Sequence, residues 1–246
     1  MRYLALACDY DGTLASGGKV SGDTLAALER LTASGRKLIM VTGREVDDLS
    51  SVFTRCDLFG RIVAENGALL YDPWSGEKRR LADPPPAQFI ARLQERQVPL
   101  SVGATIVSTS DPHEKVVRET IHELGLDLEI IFNKGAVMVL PNGTNKASGL
   151  TAALRELNLS AHSVVGIGDA ENDHAFLDMC GCSVAVANAL PLLQEIADFV
   201  TAGADGAGCI ELIEEILATD LSASETKWTQ PLRSETRPVR RSSGNR

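Results

Sequence analysis

The sequence predicts an α/β protein, a parallel sheet flanked by helices and carrying a small α+β insertion, and three observations lead there. Apolar strand-like runs alternate with amphipathic helical stretches, the pattern of a parallel sheet covered on both faces. The alternation breaks at Asp83-Pro84-Pro85-Pro86 and resumes after Pro141-Asn142-Gly143. The first apolar run ends directly on Asp9-Tyr10-Asp11-Gly12-Thr13, which sets two carboxylates at a strand's exit, where open α/β sheets keep their chemistry.

The first strand is expected near residues 3 to 8, where Tyr3-Leu4-Ala5-Leu6-Ala7-Cys8 is apolar throughout. Gly12 permits the chain to turn just after Asp9, so that Asp9 and Asp11 can do different jobs. A helix follows near 22 to 34, with Leu25, Leu28 and Leu31 as its inner stripe and Gly35 as its stop. A strand at 37 to 41 leads into Thr42-Gly43-Arg44, and a helix is expected near 45 to 54. A third strand at 61 to 64 runs into Glu65-Asn66-Gly67 and a hairpin through Tyr71-Asp72-Pro73.

Three consecutive prolines continue neither a helix nor a central strand, which marks a domain boundary. Beyond it the pattern predicts a helix (87 to 97), an extended segment (101 to 108), a helix (112 to 124) and two strands (128 to 132, 136 to 140) turned by Asn133-Lys134-Gly135. Such an insertion suits a cap lying over a site. After Gly143 come a helix carrying Lys146, strands at 164 to 167 and 183 to 186, and a helix at 207 to 217. The expected division is therefore a core of residues 1–82 and 143–217, a cap of residues 83–142, and a segment 218–246. That last segment is rich in Ser, Thr, Arg and Pro, the composition of a disordered tail or of a linker to something further.

With 44% apolar and 23% charged residues, the 246-residue chain has the make-up of a soluble globular protein. No apolar run approaches the roughly 20 residues of a membrane span, and the chain enters a strand at once, without a secretory signal, so the cytoplasm is the expected location. The five cysteines give neither a disulfide framework nor paired zinc spacing, and the four histidines show no ligand spacing. A formal net charge of −9 speaks against a nucleic-acid binder and means that an anionic substrate must be attracted by a cation within the site.

Polar stations stand at the ends of successive core strands: Asp9 and Asp11, Thr42, Lys146, and Asp169 with Asp173 in Gly168-Asp169-Ala170-Glu171-Asn172-Asp173. Each has an ordinary explanation when taken singly. Thr42 and Asp169 would cap helices, and Lys146 would be a solvated surface lysine. Jointly they fall on one sheet edge. Asp9, Asp11 and Asp169 form an oxygen-rich site for a hard octahedral cation such as Mg2+. Lys146, Thr42 and the amides after Asp9 can then hold an anion, which is what phosphoryl transfer asks for.

These motifs, D-x-D-G-T, the T-G-R station, a lone downstream lysine and G-D-x-x-N-D, resemble the four motifs of the haloacid dehalogenase superfamily, over roughly residues 1 to 217. The insertion resembles a type IIB (Cof-like) cap. The resemblance implies a Rossmann-like core, Mg2+ dependence and an aspartyl-phosphate intermediate, hence a phosphatase acting on a small phosphorylated metabolite such as a sugar phosphate or a phosphoglycolate-like acid. It makes Asp9 the nucleophile and Asp11 the acid/base, with Thr42 and Lys146 on the phosphate. It assigns the metal to Asp9, Asp11, Asp169 and Asp173, with Asp11 lying farther off if only its carbonyl ligates. Gly43, Arg44, Glu65, Asn66, Gly67 and Asn172 are carried over to the substrate's surroundings. His174 departs from the apolar residue usual there.

Gly166-Ile167-Gly168 lacks the third glycine of a dinucleotide loop, since Glu171 stands there, and the sequence has no nucleotide P-loop. Two alternatives stay open: a phosphomutase of the same superfamily, and a non-catalytic phosphometabolite sensor whose basic tail reports to a partner of unknown kind. Lys115, Arg118 and Lys134 are the cap's candidate anion contacts, although lysine and arginine on helices and turns are more often solvated.

Overall fold

The computed structural model describes residues 1–222. In chain order the elements are β1 (Ala5–Cys8), α1 (Gly22–Ala33), β2 (Lys37–Val41), α2 (Val46–Val52), β3 (Arg61–Ala64), β4 (Leu69–Tyr71), β5 (Lys78–Arg80), α3 (Ala87–Glu95), β6 (Ser101–Val102), β7 (Val107–Ser110), α4 (Glu114–Glu123), β8 (Leu128–Asn133), β9 (Ala136–Pro141), α5 (Lys146–Leu157), β10 (Val164–Gly168), α6 (His174–Met179), β11 (Cys182–Ala185), α7 (Pro191–Ile196), β12 (Phe199–Val200) and α8 (Asp205–Thr219).

Two sheets result. The larger runs β12-β11-β10-β1-β2-β3-β4-β5, parallel from β12 to β3 and closed on one edge by the antiparallel β4 and β5. β1 lies between β10 and β2 and is buried along its whole length, which is why it reads as an unbroken apolar run instead of an alternating one. The smaller sheet, β6-β7-β9-β8, is antiparallel and packs α3 and α4 around its own core of Phe89, Leu93, Val107, Val117 and Val139. Each fully buried Leu or Phe of these cores contributes roughly 1.5–3 kcal/mol.

Most of the expected elements lie within a residue or two of where the pattern places them. In α1 the stripe is shifted: Leu28 and Leu31 are buried with Thr24 and Ala27, while Leu25 is only half-buried. Ser21 caps that helix by accepting from Thr24 N, and Gly35, at φ 87°, follows its end. The extended segment 101 to 108 is two short strands, because a turn at 103–106 separates β6 from β7. α7 and β12 are too short to carry a period and went unexpected. α8 runs to Thr219, and residues 223–246 of the expected tail lie outside the described residues. Among the described residues no helix is long and apolar enough to cross a membrane.

Candidate functional site

The site forms at the carboxyl ends of β1, β2 and β10, beside the central strand of the sheet. Asp9 follows β1 directly, and its amide donates to Ile167 O at 3.1 Å, which ties it to β10. The chain then turns through Gly12 at φ 83°, as the sequence requires. A Cβ at Gly12 would lie 2.4 Å from Asp169 Oδ2, so glycine also lets two strand-end loops touch.

Lys146 enters from the opposite direction. Asn145 caps α5 by accepting from the amides of Ala147 and Ser148, while Ser148 Oγ accepts from Asn145 N, a reciprocal box that fixes the helix start. Lysine in a first turn opposes the helix dipole. Here two carboxylates offset that, for the Lys146 ammonium, 1% exposed, donates to Asp9 Oδ1 and to Asp173 Oδ1, each at 2.5 Å. Burial alone would discharge this amine, but the charges of Asp173 and Asp9 win and raise its pKa. Burial pushes the Asp9 carboxyl well above the usual carboxylate range, with Lys146 pulling against it and Asp173 and Asp169 adding to it.

Asp173 is held by its other oxygen, which accepts from the amides of Asp169 and Ala170 at 2.9 and 3.0 Å. Asp169 accepts from Thr13 Oγ1 at 3.0 Å and from the Lys134 ammonium. Burial raises the Asp169 carboxyl too, partly countered by Lys134. Carboxylate oxygens of Asp9, Asp169 and Asp173, all buried, lie within 4.8 Å of one another. An all-oxygen, strongly anionic donor set fits a hard cation such as Mg2+, and the ammonium groups already drawn to it show that the cluster selects positive charge. The carboxylate of Asp11 is not in this group: it turns toward Arg44, whose Nε and Nη2 reach it at 2.6 and 2.8 Å.

The remaining expected residues gather by backbone pairing. Glu65 N donates to Arg44 O at 2.9 Å and Asn66 N to Thr42 O at 3.0 Å, which zips the 65–67 turn onto the 42–44 turn. Thr42 Oγ1 accepts from Arg44 N, and Arg44 also holds Asp48 and lies over the Tyr10 ring. Gly67, at φ 106°, packs so closely on the start of α5 that a Cβ would lie 1.9 Å from Asn145 O. Asn172 Nδ2 donates to Asn66 Oδ1 at 3.0 Å, which leaves Asn66 Nδ2 and Asn172 Oδ1 buried without a partner. A buried unpaired amide is costly and is commonly resolved by a bound group.

Glu65 serves differently from the expectation. Its carboxylate, on a residue 2% exposed, accepts from the amides of Ala104, Thr105 and Ile106 and from Thr105 Oγ1, the turn between β6 and β7. It ties core to cap instead of facing the space between them. That space is a cavity of about 500 Å³, with Asp9, Asp11, Thr42, Gly43 and Arg44 on the core side and Ser108, Thr109, Asn133 and Met138 on the cap side. Of these cap residues Ser108, Thr109 and Met138 carried no sequence signal, and Asn133 only that of a turn. Lys115 and Arg118 pair with Glu119 and Glu114 on the exposed face of α4, whereas Lys134 reaches the carboxylate cluster. Sequence reasoning ranked these three cations alike; the positive φ that Asn133-Lys134-Gly135 imposes on a lysine was the signal available.

A family model of haloacid dehalogenase-like hydrolases matches residues 6–102 and 87–213. A phosphoglycolate phosphatase of Methanothermobacter thermautotrophicus is 31% identical over 224 residues, covering 87% of this chain and 98% of its own. Among solved structures, a HAD/Cof-like hydrolase of Plasmodium vivax superposes with a TM-score of 0.76 at 21% identity, covering 88% of this chain and 96% of the other. The HAD subclass IIB sugar phosphatase BT4131 does so with 0.71 at 22%, covering 86% and 98%.

Proposed function

This chain belongs to the haloacid dehalogenase-like hydrolases, and from that premise we propose that it is a Mg2+-dependent phosphatase that hydrolyses a small phosphate monoester, a sugar phosphate or a phosphoglycolate-like acid, through an aspartyl-phosphate on Asp9. One observation carries the reading: the Asp9 carboxylate stands buried at the end of the central strand, on the wall of a cavity, in contact with an enclosed ammonium and within reach of two further carboxylates.

In this mechanism an Asp9 oxygen forms a bond to phosphorus as the ester P–O bond breaks, and the departing oxygen takes a proton from Asp11. Water then attacks phosphorus, the Asp9 O–P bond breaks, and Asp11 takes up the water's proton. Arg44 holds Asp11 by both carboxylate oxygens, so Asp11 must leave this ion pair before it can carry the leaving group's proton. Thr42 and the amide of Gly43, both on the cavity wall, donate to the phosphoryl oxygens, and Lys146 holds the nucleophile in line while balancing its charge. Asp9, Asp169 and Asp173 would hold Mg2+, with the main-chain carbonyl of Asp11 as a further oxygen. When bound, that ion supplies charge neutralisation for the phosphoryl group and favours ionised Asp9.

The test is release of inorganic phosphate from a panel of phosphate monoesters with Mg2+ present. Activity in the wild type and none in Asp9→Asn is expected. Undiminished turnover by Asp9→Asn rejects the assignment.

A further inference from the structure

The turn joining β8 to β9 breaks a local rule. Lys134 and Gly135 both have positive φ, 47° and 87°, between the paired residues Asn133 and Ala136, as a type I′ hairpin demands. Glycine meets that demand freely, and Asn or Asp tolerates it; lysine is strained there. Strain of this kind is a reason to ask what the side chain reaches.

The side chain leaves its own domain. It passes Gly12, where a Cβ would lie 2.9 Å from Lys134 Nζ, and donates to Asp169 Oδ2. β8 itself packs against the 171–173 turn, so the hairpin sits on the loop that carries Asp169. Lys146 is enclosed and bonded to two carboxylates, whereas Lys134 is 44% exposed and bonded to one. Lys134 is thus the cation of the cluster that is free to leave.

Formal charge points the same way. Asp9, Asp169 and Asp173 bring three negative charges, and the two ammonium groups leave one uncompensated. A divalent ion in place of Lys134 brings the cluster to neutrality. Retaining both would leave an excess positive charge, with two cations repelling each other across a few ångströms of partly desolvated space.

We propose that Lys134 is a positioning residue through which the cap hairpin competes with a divalent cation for Asp169, so that filling the cation site undocks the hairpin from the core. This rests on the reading above that Asp169 holds the cation. Because such coupling is reciprocal, whatever docks the hairpin loosens the ion, and whatever loosens the hairpin tightens it.

Calorimetric titration of the full chain with MgCl2, without substrate, tests this in the wild type, Lys134→Met, Lys134→Arg and Asp169→Asn. Lys134→Met keeps the length and removes the charge, and it should bind Mg2+ about tenfold more tightly, while Lys134→Arg stays within about twofold of wild type. Hydrogen exchange of amides 131–137 should quicken on adding Mg2+ to the wild type and be fast and unresponsive in Lys134→Met. Equal or weaker binding by Lys134→Met, or no Mg2+ effect on exchange in the wild type, overturns the proposal. If Asp169→Asn abolishes binding in that case, only the competition fails. Unchanged binding by Asp169→Asn, or none in the wild type, sinks the cation site itself and this inference with it.

Discussion

Lys146 and Asp9 stand 137 residues apart in the chain and 2.5 Å apart in space, ammonium to carboxylate oxygen, with no solvent between them. The same ammonium holds Asp173. In the nucleophilic role proposed for it, Asp9 depends on a single buried charge for its orientation and for part of its ionisation.

Lys146→Ala should therefore lower kcat by on the order of 10² or more, the scale of losing one preorganised charge-stabilising donor. The variant removes the charge that opposes the burial of Asp9, whose carboxyl then escapes by taking up a proton at low pH. Its loss of thermal stability should accordingly be larger at pH 8 than at pH 5, read by unfolding curves at both. Near-normal turnover would exclude the role assigned to this lysine.

Asp9→Asn should abolish phosphate release and at the same time stabilise the fold. Burial raises the Asp9 carboxyl above its ordinary value, so the native state binds its proton more tightly than the unfolded chain. The contribution of such a group is fully present below the ordinary carboxylate pKa, about 4, and is lost as pH rises through the raised value. Asparagine never ionises. The gain in melting temperature should be largest near pH 8 and vanish toward pH 4, measured with a chelator present.

Asp11→Asn should lose about 10²- to 10⁴-fold in rate on alkyl phosphates, the range for a general acid. On p-nitrophenyl phosphate, whose leaving group departs without a proton, the first half-reaction should be nearly spared. Pre-steady-state measurement should show a burst of nitrophenol followed by slow turnover; equal losses on both substrates would contradict the acid role.

Glu65→Ala removes the acceptor shared by three cap amides and the Thr105 hydroxyl. Leaving buried donors unpaired costs about 1–3 kcal/mol each in a rigid site, less where the turn can relax to water. The expected result is faster hydrogen exchange at residues 104–106 and a higher KM, with kcat less affected because the carboxylate does not face the cavity. Slowed chemistry at unchanged KM would mean that Glu65 acts on substrate after all.

The elements of the core were legible because their signals are local. β2 and β3 lie within the expected bounds, each a short apolar run behind one charged residue, buried and closed by turn residues as strands of a covered parallel sheet are. Asn133-Lys134-Gly135 shows its hairpin for the same reason. α7 and β12 were silent, being shorter than the period that would betray them. The site was half legible. Asp9, Asp169 and Asp173 converge because each follows a strand of one parallel sheet, which aligns those ends on one edge, whereas Lys146, expected at a core-strand end, follows β9 of the smaller sheet and arrives on the first turn of α5.

What the amino-acid order determined by itself is the alternation of strands and helices, the carboxylates at strand ends and the break in pattern at residues 83–86, all set by burial periodicity and turn geometry over a few residues. Only the tertiary structure decided that Glu65 serves the cap, that Asp11 turns to Arg44, and that Lys134 crosses to Asp169. Those choices depend on which charge lies a few ångströms away once the chain has closed, and electrostatic pairing across the fold leaves no periodic trace in the sequence.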